Sequence, residues 1–290
     1  MSITDLLIAT PWVAVLCALI LGLLVGSFLN VVVYRLPVML QRSWSAQARE
    51  LLGQPPAPAQ PPFNLLVPPT RCPPCQHLIH PWENIPIVSW LSLRGKCSTC
   101  KAPISPRYPL VELASGLLSA WLMAHFGFGW QACTMIVLTW GLLAAALIDA
   151  DHQLLPDVLV LPLLWLGLIC NCYGLFTSLS DALWGAVAGY LSLWLVYWGF
   201  KLVTGKEGMG GGDFKLLAAI GAWGGWQVLP VTIILSSVVG AIIGALLLQL
   251  RRDQRSTAFA FGPFLAIAGW LALIWGKALN QAYLQLLAIN

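Results

Sequence analysis

Two aspartates stand at the ends of apolar segments in a chain that carries little charge. Asp149 ends the run Leu-Leu-Ala-Ala-Ala-Leu-Ile and opens Asp-Ala-Asp-His-Gln-Leu-Leu-Pro-Asp over 149–157. Asp213 follows Gly-Met-Gly-Gly-Gly over 208–212 and opens a second apolar run. An ionisable side chain at membrane depth is costly and marks a functional position with a partner. Each aspartate is the other's obvious partner. Two neighbouring carboxylates resist ionising together, so one serves as acid and the other as base, which is the machinery for hydrolysing a peptide bond. The ionised member takes a proton from water as the water attacks the carbonyl, and the neutral member donates to the carbonyl oxygen. Such a pair titrates as a unit. The bland alternative is a polar turn with an aspartate capping the helix that follows. It suits Asp157 and Asp151, and it competes at Asp213, but it suits Asp149 poorly because that residue continues an unbroken helical run.

The elements that must position this pair are membrane helices. Of 290 residues, 59% are hydrophobic and 9% charged, with 15 tryptophans, which marks an all-α polytopic membrane protein and excludes a soluble globule. Apolar segments lie near 9–34, 110–126, 131–148, 158–173, 182–200, 213–226, 228–250 and 260–278, about eight spans in all. The stretch 213–226, with Gly224-Gly225 near its end, is the shortest. If all eight cross, fourteen of the fifteen Lys and Arg residues fall on one side and only Lys277 on the other. Cationic loops stay cytoplasmic, so that side faces inward and both termini face outward. Asp149 ends the third span and Asp213 begins the sixth, which puts both at the cytoplasmic boundary. The first apolar run is too long for a signal-peptide core and lacks a basic flank, so it reads as a permanent span. The expected organisation is a first transmembrane helix over 1–34, a cytoplasmic loop over 35–109 and a transmembrane catalytic core over 110–290.

The loop 35–109 is the one sizeable polar segment. A short helical stretch from Gln41 to Leu52 precedes a proline-rich connector (Pro55, Pro56, Pro58, Pro61, Pro62) of extended character. Cys72-Pro-Pro-Cys75 and Cys97-Ser-Thr-Cys100 follow, separated by 21 residues. Paired knuckles of this kind suit a zinc ribbon in which four thiolates close a tetrahedral, structural site. In a reducing compartment, metal is favoured over a disulfide or redox role. His77 and His80 could ligate, but four cysteines already fill the shell. Cys17, Cys133, Cys170 and Cys172 lie in or beside apolar spans and read as small packing residues. His125, at an outer helix end, reads as interfacial.

The remaining polar residues of the spans fall into two groups. Asp151, Asp157 and Glu207 surround the aspartate pair and could attract a basic peptide, or could simply be solvated charges. Gly210 and Gly212 allow a peptide backbone to approach closely, as in strand addition. The glycine run lacks the Lys-Ser/Thr of a phosphate loop, and no dinucleotide fingerprint occurs in a strand–helix setting. Ser27 and Asn30 suit hydrogen bonds between helices. A proton-coupled carrier would also bury aspartates beside broken helices, but no internal repeat is evident and both acids lie near one face. A zinc-ribbon scaffold with structural aspartates is a third reading. No nucleic-acid partner is expected, and no residue pattern signals an oligomeric state.

The motifs together resemble the type IV prepilin leader peptidase/N-methyltransferase family of bacterial inner-membrane enzymes, nearly end to end. They are Gly26-Ser-Phe-Leu-Asn30-Val-Val-Val-Tyr-Arg35-Leu-Pro, the two CxxC pairs, Pro109-Leu-Val-Glu112-Leu, the 149–157 segment and Gly208-Met-Gly-Gly-Gly-Asp213-Phe-Lys. The last carries the Gly-x-Gly-Asp pattern of membrane aspartic proteases, with Gly211 where a bulkier residue is usual. The resemblance implies a bifunctional enzyme that supports pilus biogenesis and type II secretion. As an aspartic endopeptidase it removes the basic leader of prepilins and pseudopilins at the cytoplasmic membrane face. It then methylates the new amino terminus with S-adenosylmethionine. Asp149 and Asp213 match the family's catalytic pair, and Cys72, Cys75, Cys97 and Cys100 its zinc-binding cysteines. Gly95, Lys96 and Glu112 are candidates for methyl transfer. Against these stand a turn glycine with a solvated lysine, and an acid favoured at a helix start.

Overall fold

A computed structural model describes residues 3–56, 58, 61–206, 208–250 and 260–288. Its helices are α1 (Ile3–Ala9), α2 (Pro11–Leu51), α3 (Val88–Ser92), α4 (Arg107–Phe126), α5 (Trp130–His152), α6 (Asp157–Cys172), α7 (Leu179–Thr204), α8 (Gly211–Gly224), α9 (Leu229–Leu250) and α10 (Gly262–Ala288). Each expected apolar segment therefore coincides with a helix. Among the described residues, five stretches, within α2, α4, α5, α7 and residues 226–246, are long and apolar enough to cross a membrane, while α6 and residues 262–276 are apolar but shorter. The cationic loop residues Arg251, Arg252 and Arg255 lie outside the described residues. The chain divides into two compact units, residues 1–140 and 141–290.

In the first unit the helix expected to end near residue 34 does not stop there. It runs through Pro37 to Leu51, absorbing the stretch that the sequence sets apart as a second short helix. The residues after Pro37 are rich in Leu, Gln, Arg and Ala, which favour helix strongly enough to outlast one lost hydrogen bond. Its 41 residues span about 60 Å at 1.5 Å per residue, roughly twice the hydrocarbon thickness. Small residues let α2 and α4 approach closely, as membrane helices require. A Cβ on Gly26 would lie 2.7 Å from the Cα of Glu112, and the Ser115 hydroxyl donates to the Gly22 carbonyl at 2.6 Å. From within α2, the buried Arg35 guanidinium donates to the carbonyls of Asn64 and Pro68 at 3.0 and 2.7 Å, which ties the segment before Cys72 back to the helix.

In the second unit α8 is the centre. Almost every residue from Asp213 to Trp223 is buried, against α6, α7 and α10. A helix apolar on all sides is a core helix. At 14 residues it is about 21 Å long, too short to cross a bilayer core alone. Gly189 of α7 packs on its backbone, 2.7 Å from an added Cβ to the Leu217 carbonyl. Asn171 closes its far end. The amide nitrogen donates to the carbonyls of Ala222 and Trp223 while the amide oxygen accepts from the N–H groups of Phe176 and Thr177. An open apolar groove of about 350 Å³ runs along Leu164, Ala186, Val187, Tyr190, Leu191 and Ala218. The Tyr190 ring meets Phe214, the neighbour of Asp213, edge-on at 5.9 Å.

Candidate active site and metal centre

Asp149 and Asp213 come together in the second unit although 63 residues of chain separate them. Asp149 lies in the last turn of α5 and Asp213 in the first turn of α8, each only 6% exposed. The Asp149 carboxyl is near enough to act electrostatically on Asp213. Asp213 is not the helix cap; Gly210 is, and its carbonyl accepts from the Asp213 N–H at 3.2 Å. The side chain of Asp213 is thereby left for other work.

Two contacts bring the segments into register. Gly212 sits against Leu155, where an added Cβ would stand 2.6 Å from the Leu155 Cβ. Only a residue without Cβ permits that approach. The second contact comes from α10. The Gly262 N–H donates to Asp149 Oδ2 at 2.9 Å, and an added Cβ there would be 2.6 Å from the same oxygen. A free N–H in the first turn of a helix is a ready donor for a carboxylate. Sequence reasoning missed Gly262. Gly262-Pro263 does signal a helix start, but nothing in the local pattern points to an acid 113 residues away.

The other acids and glycines of the region divide. Asp151 is exposed at the end of α5. Asp157, also exposed, pairs with Lys215 Nζ at 2.7 Å through both oxygens, so its charge is balanced from within the chain. Gly210 lies beside Asp213 in open space, with that carboxylate 3.9 Å from an added Cβ, and Gly211 meets nothing. Glu207 lies outside the described residues.

In the first unit the four cysteines of the knuckles converge. Their sulfurs lie within 4.8 Å of one another, with Cys72–Cys100 at 3.8 Å and Cys75–Cys97 at 4.0 Å. A tetrahedron with metal–sulfur bonds of about 2.3 Å has edges of roughly 3.8 Å, so the donor set fits a tetrahedral metal ion. The two knuckles repeat one local plan. The N–H of Cys72 donates to His77 O, and that of Cys97 to Ala102 O. Residues 71 and 78, and 96 and 103, form matching isolated bridges. Gln76 and Lys101, each following the second cysteine, take left-handed conformations. In each knuckle, main-chain N–H groups aim at a sulfur. Those of Cys100 and Thr99 bring the Cys97 thiol down to about 6. At Cys72 the Cys75 N–H favours the thiolate, but burial and the neighbouring thiols outweigh it and push the group up to about 12.

The two histidines beside the first knuckle are engaged elsewhere. His77 Nε2 bonds Glu83 Oε2 at 3.1 Å, and His80 stacks on Trp82 at 4.5 Å. Glu83 also accepts from the His80 N–H, and its contacts to Ser98, to that N–H and to His77 hold its carboxyl down to about 2. One carboxylate thus ties the turn over 81–84 to both knuckles.

Gly95 is buried against the Trp90 ring with φ +67°, and Lys96 is exposed. Glu112, on α4, is buried and accepts from the Ile87 N–H at 2.8 Å.

Comparison with known proteins places the chain among relatives. Residues 20–126 match the bacterial peptidase A24 N-terminal domain, and residues 136–245 match the type IV leader peptidase family. A prepilin leader peptidase/N-methyltransferase of Stutzerimonas stutzeri is 66% identical over 98% of this chain and 99% of its own. One of Pseudomonas aeruginosa is 66% identical over 98% of each chain. One of Neisseria gonorrhoeae is 49% identical over 92% of each. No solved structure matches the chain. With relatives this similar over the whole length, the chain belongs to the type IV leader peptidase family.

Proposed function

We propose that this protein is a bifunctional enzyme of the bacterial inner membrane. It cleaves the basic leader from type IV prepilins and pseudopilins and then methylates the exposed amino terminus, supporting pilus assembly and type II secretion. The observation that carries the first activity is the meeting of two buried carboxylates, Asp149 and Asp213, with Asp149 held by the Gly262 N–H.

Cleavage is assigned to that pair. One carboxylate, ionised, accepts the proton of the attacking water, and the other, protonated, donates to the scissile carbonyl oxygen. The roles belong to the pair as a unit. The substrate backbone is assigned to Gly210 and Gly212: the space beside Asp213 is open at Gly210, while Gly212 is covered on one side by Leu155. The substrate's apolar part follows the groove beside α8 toward Phe214. Asp151, Asp157 and Glu207 are the acids offered to the basic leader; for Asp157 this means competing with Lys215. We assign this site to the cytoplasmic face, and both termini to the periplasm, on the bias of Lys and Arg among the connecting segments.

Cys72, Cys75, Cys97 and Cys100 hold zinc. The closed four-sulfur shell makes that metal structural and leaves no position for substrate. S-adenosylmethionine, when bound, supplies the methyl group, and Gly95, Lys96 and Glu112 are the residues assigned to that transfer.

The test uses purified protein in bilayers with a prepilin substrate. Asp149→Asn and Asp213→Asn should each abolish leader removal while insertion, zinc content and methylation of a leaderless peptide persist. Normal processing by either variant would rule out the pair and favour a carrier or scaffold.

A further inference from the structure

Glu112 is a buried carboxylate that forms no ion pair among the described residues. It is 8% exposed and sits in the second turn of α4, pressed against Gly26 of α2. Its partners are neutral: the Ile87 N–H at 2.8 Å and the Ser27 hydroxyl. No Lys or Arg pairs with it among the described residues. The helices packed around it also carry Arg107, Tyr108 and His125 on α4 and Cys17, Tyr34, Arg35, Arg42, Arg49 and Glu50 on α2; the nearest buried one, Arg35, is spent on the carbonyls of Asn64, Leu65 and Pro68. A buried carboxylate without a counter-charge is costly. Such a group is relieved by taking up a proton or by meeting a cation.

Three features shape that site. Ile87 holds φ +61°, a left-handed conformation that a β-branched residue adopts only under constraint. That strain aims its N–H at Glu112 and orients the carboxylate. Asn30, one turn beyond Ser27 on α2, donates through Nδ2 to the Tyr108 carbonyl at 3.2 Å. Its Oδ1 has no protein donor among the described residues and offers a second acceptor. The small residues Gly22 and Gly26 bring the two helix faces together at this depth. The result is a set of oxygen acceptors gathered between α2 and α4, of the chemistry that would receive an ammonium group.

We propose that Glu112, with Asn30 beside it, receives the α-ammonium of the leaderless substrate and takes its proton before methyl transfer. This rests on the methyltransferase reading above. The Glu112 carboxylate accepts one proton from the ammonium. The freed nitrogen lone pair attacks the methyl carbon of S-adenosylmethionine, forming the N–C bond as the S–C bond breaks. S-adenosylhomocysteine leaves, the product nitrogen carries the positive charge, and Glu112 returns its proton to solvent. Ile87 and Ser27 are positioning residues.

The experiment uses full-length protein in bilayers, labelled S-adenosylmethionine and a synthetic leaderless peptide beginning with phenylalanine. Leader cleavage and zinc content are measured alongside. Glu112→Gln keeps an acceptor for the Ile87 N–H but loses the charge. Methyl transfer at pH 7 should fall about 100-fold or more, within the range for general-base catalysis, with cleavage within about twofold of the parent. At pH 9 the peptide amine, with an ordinary pKa near 8, deprotonates in solution, so the deficit should shrink at least tenfold. Glu112→Asp, which keeps the charge, should retain more methyl transfer than Glu112→Gln. The inference is overturned if Glu112→Gln methylates within threefold of the parent at pH 7. It is equally overturned if the deficit is unchanged at pH 9, or if Glu112→Asp is as inactive as Glu112→Gln while both still cleave. Absence of methyl transfer by the parent protein would instead refute the methyltransferase reading itself.

Discussion

Replacing Gly262 with alanine tests the geometry of the aspartate pair through a residue that carries no chemistry of its own. The new methyl would sit 2.6 Å from Asp149 Oδ2 and 3.0 Å from its Cγ, against an ordinary heavy-atom contact of about 3.5 Å. The obstacle is the near end of a short side chain whose Cβ is itself 3.3 Å away. Asp149 must therefore move by roughly an ångström and give up the Gly262 N–H. A hydrogen bond to a charged group is worth about 1.5–3 kcal/mol, and about 1.4 kcal/mol is tenfold in rate. A misplacement of ~1 Å at a reacting group costs about 100-fold. Both routes lead to a fall of about 10- to 100-fold in kcat/KM for leader cleavage. The assay is cleavage of a prepilin by purified protein in bilayers, with circular dichroism to follow the fold. Gly199→Ala serves as the matched control, since an added Cβ there meets nothing within 4 Å. If Gly262→Ala cleaves within twofold of the parent, the Gly262 contact does not position Asp149 and the reasoning fails.

Gly212→Ala should force the two aspartate segments apart, because the added Cβ meets the Leu155 Cβ at 2.6 Å and neither atom can swing away. Cleavage should drop at least tenfold while methylation of a leaderless peptide is kept, and parallel loss of both would contradict this. Metal analysis should find one zinc per chain. Chelation or Cys97→Ser should open the segment 70–104 to added protease, since apparent zinc binding of about 10–16 kcal/mol in small metallo-domains is largely folding energy; unchanged protease resistance would remove zinc from the account. Lys215→Ala breaks a pair whose side chains are 34% and 52% exposed, so unfolding should shift by less than about 1 kcal/mol. A larger shift in thermal or denaturant unfolding would show that the pair supports the fold.

Some of this protein follows from residue order alone. The eight apolar helices were legible because a bilayer demands long apolar runs, and the run length is written in one dimension. The four-cysteine cluster was legible because two CxxC knuckles carry their own local hydrogen-bond plan; the sulfurs need only two short turns to meet. The aspartates stood out because charge is scarce in this chain. The end of α2 was not legible. The first helix was expected to end near residue 34, yet it runs through Pro37 and the helix-forming residues after it to Leu51. Tertiary packing also settled what each polar group touches. Asp157 found Lys215, Glu112 found Ile87, and Gly262 found Asp149 across 113 residues. No local pattern encodes such pairings, because they depend on how closely helix backbones approach. That approach is governed by single missing side chains, at Gly26, Gly212 and Gly262, whose value shows only when the facing atom is known.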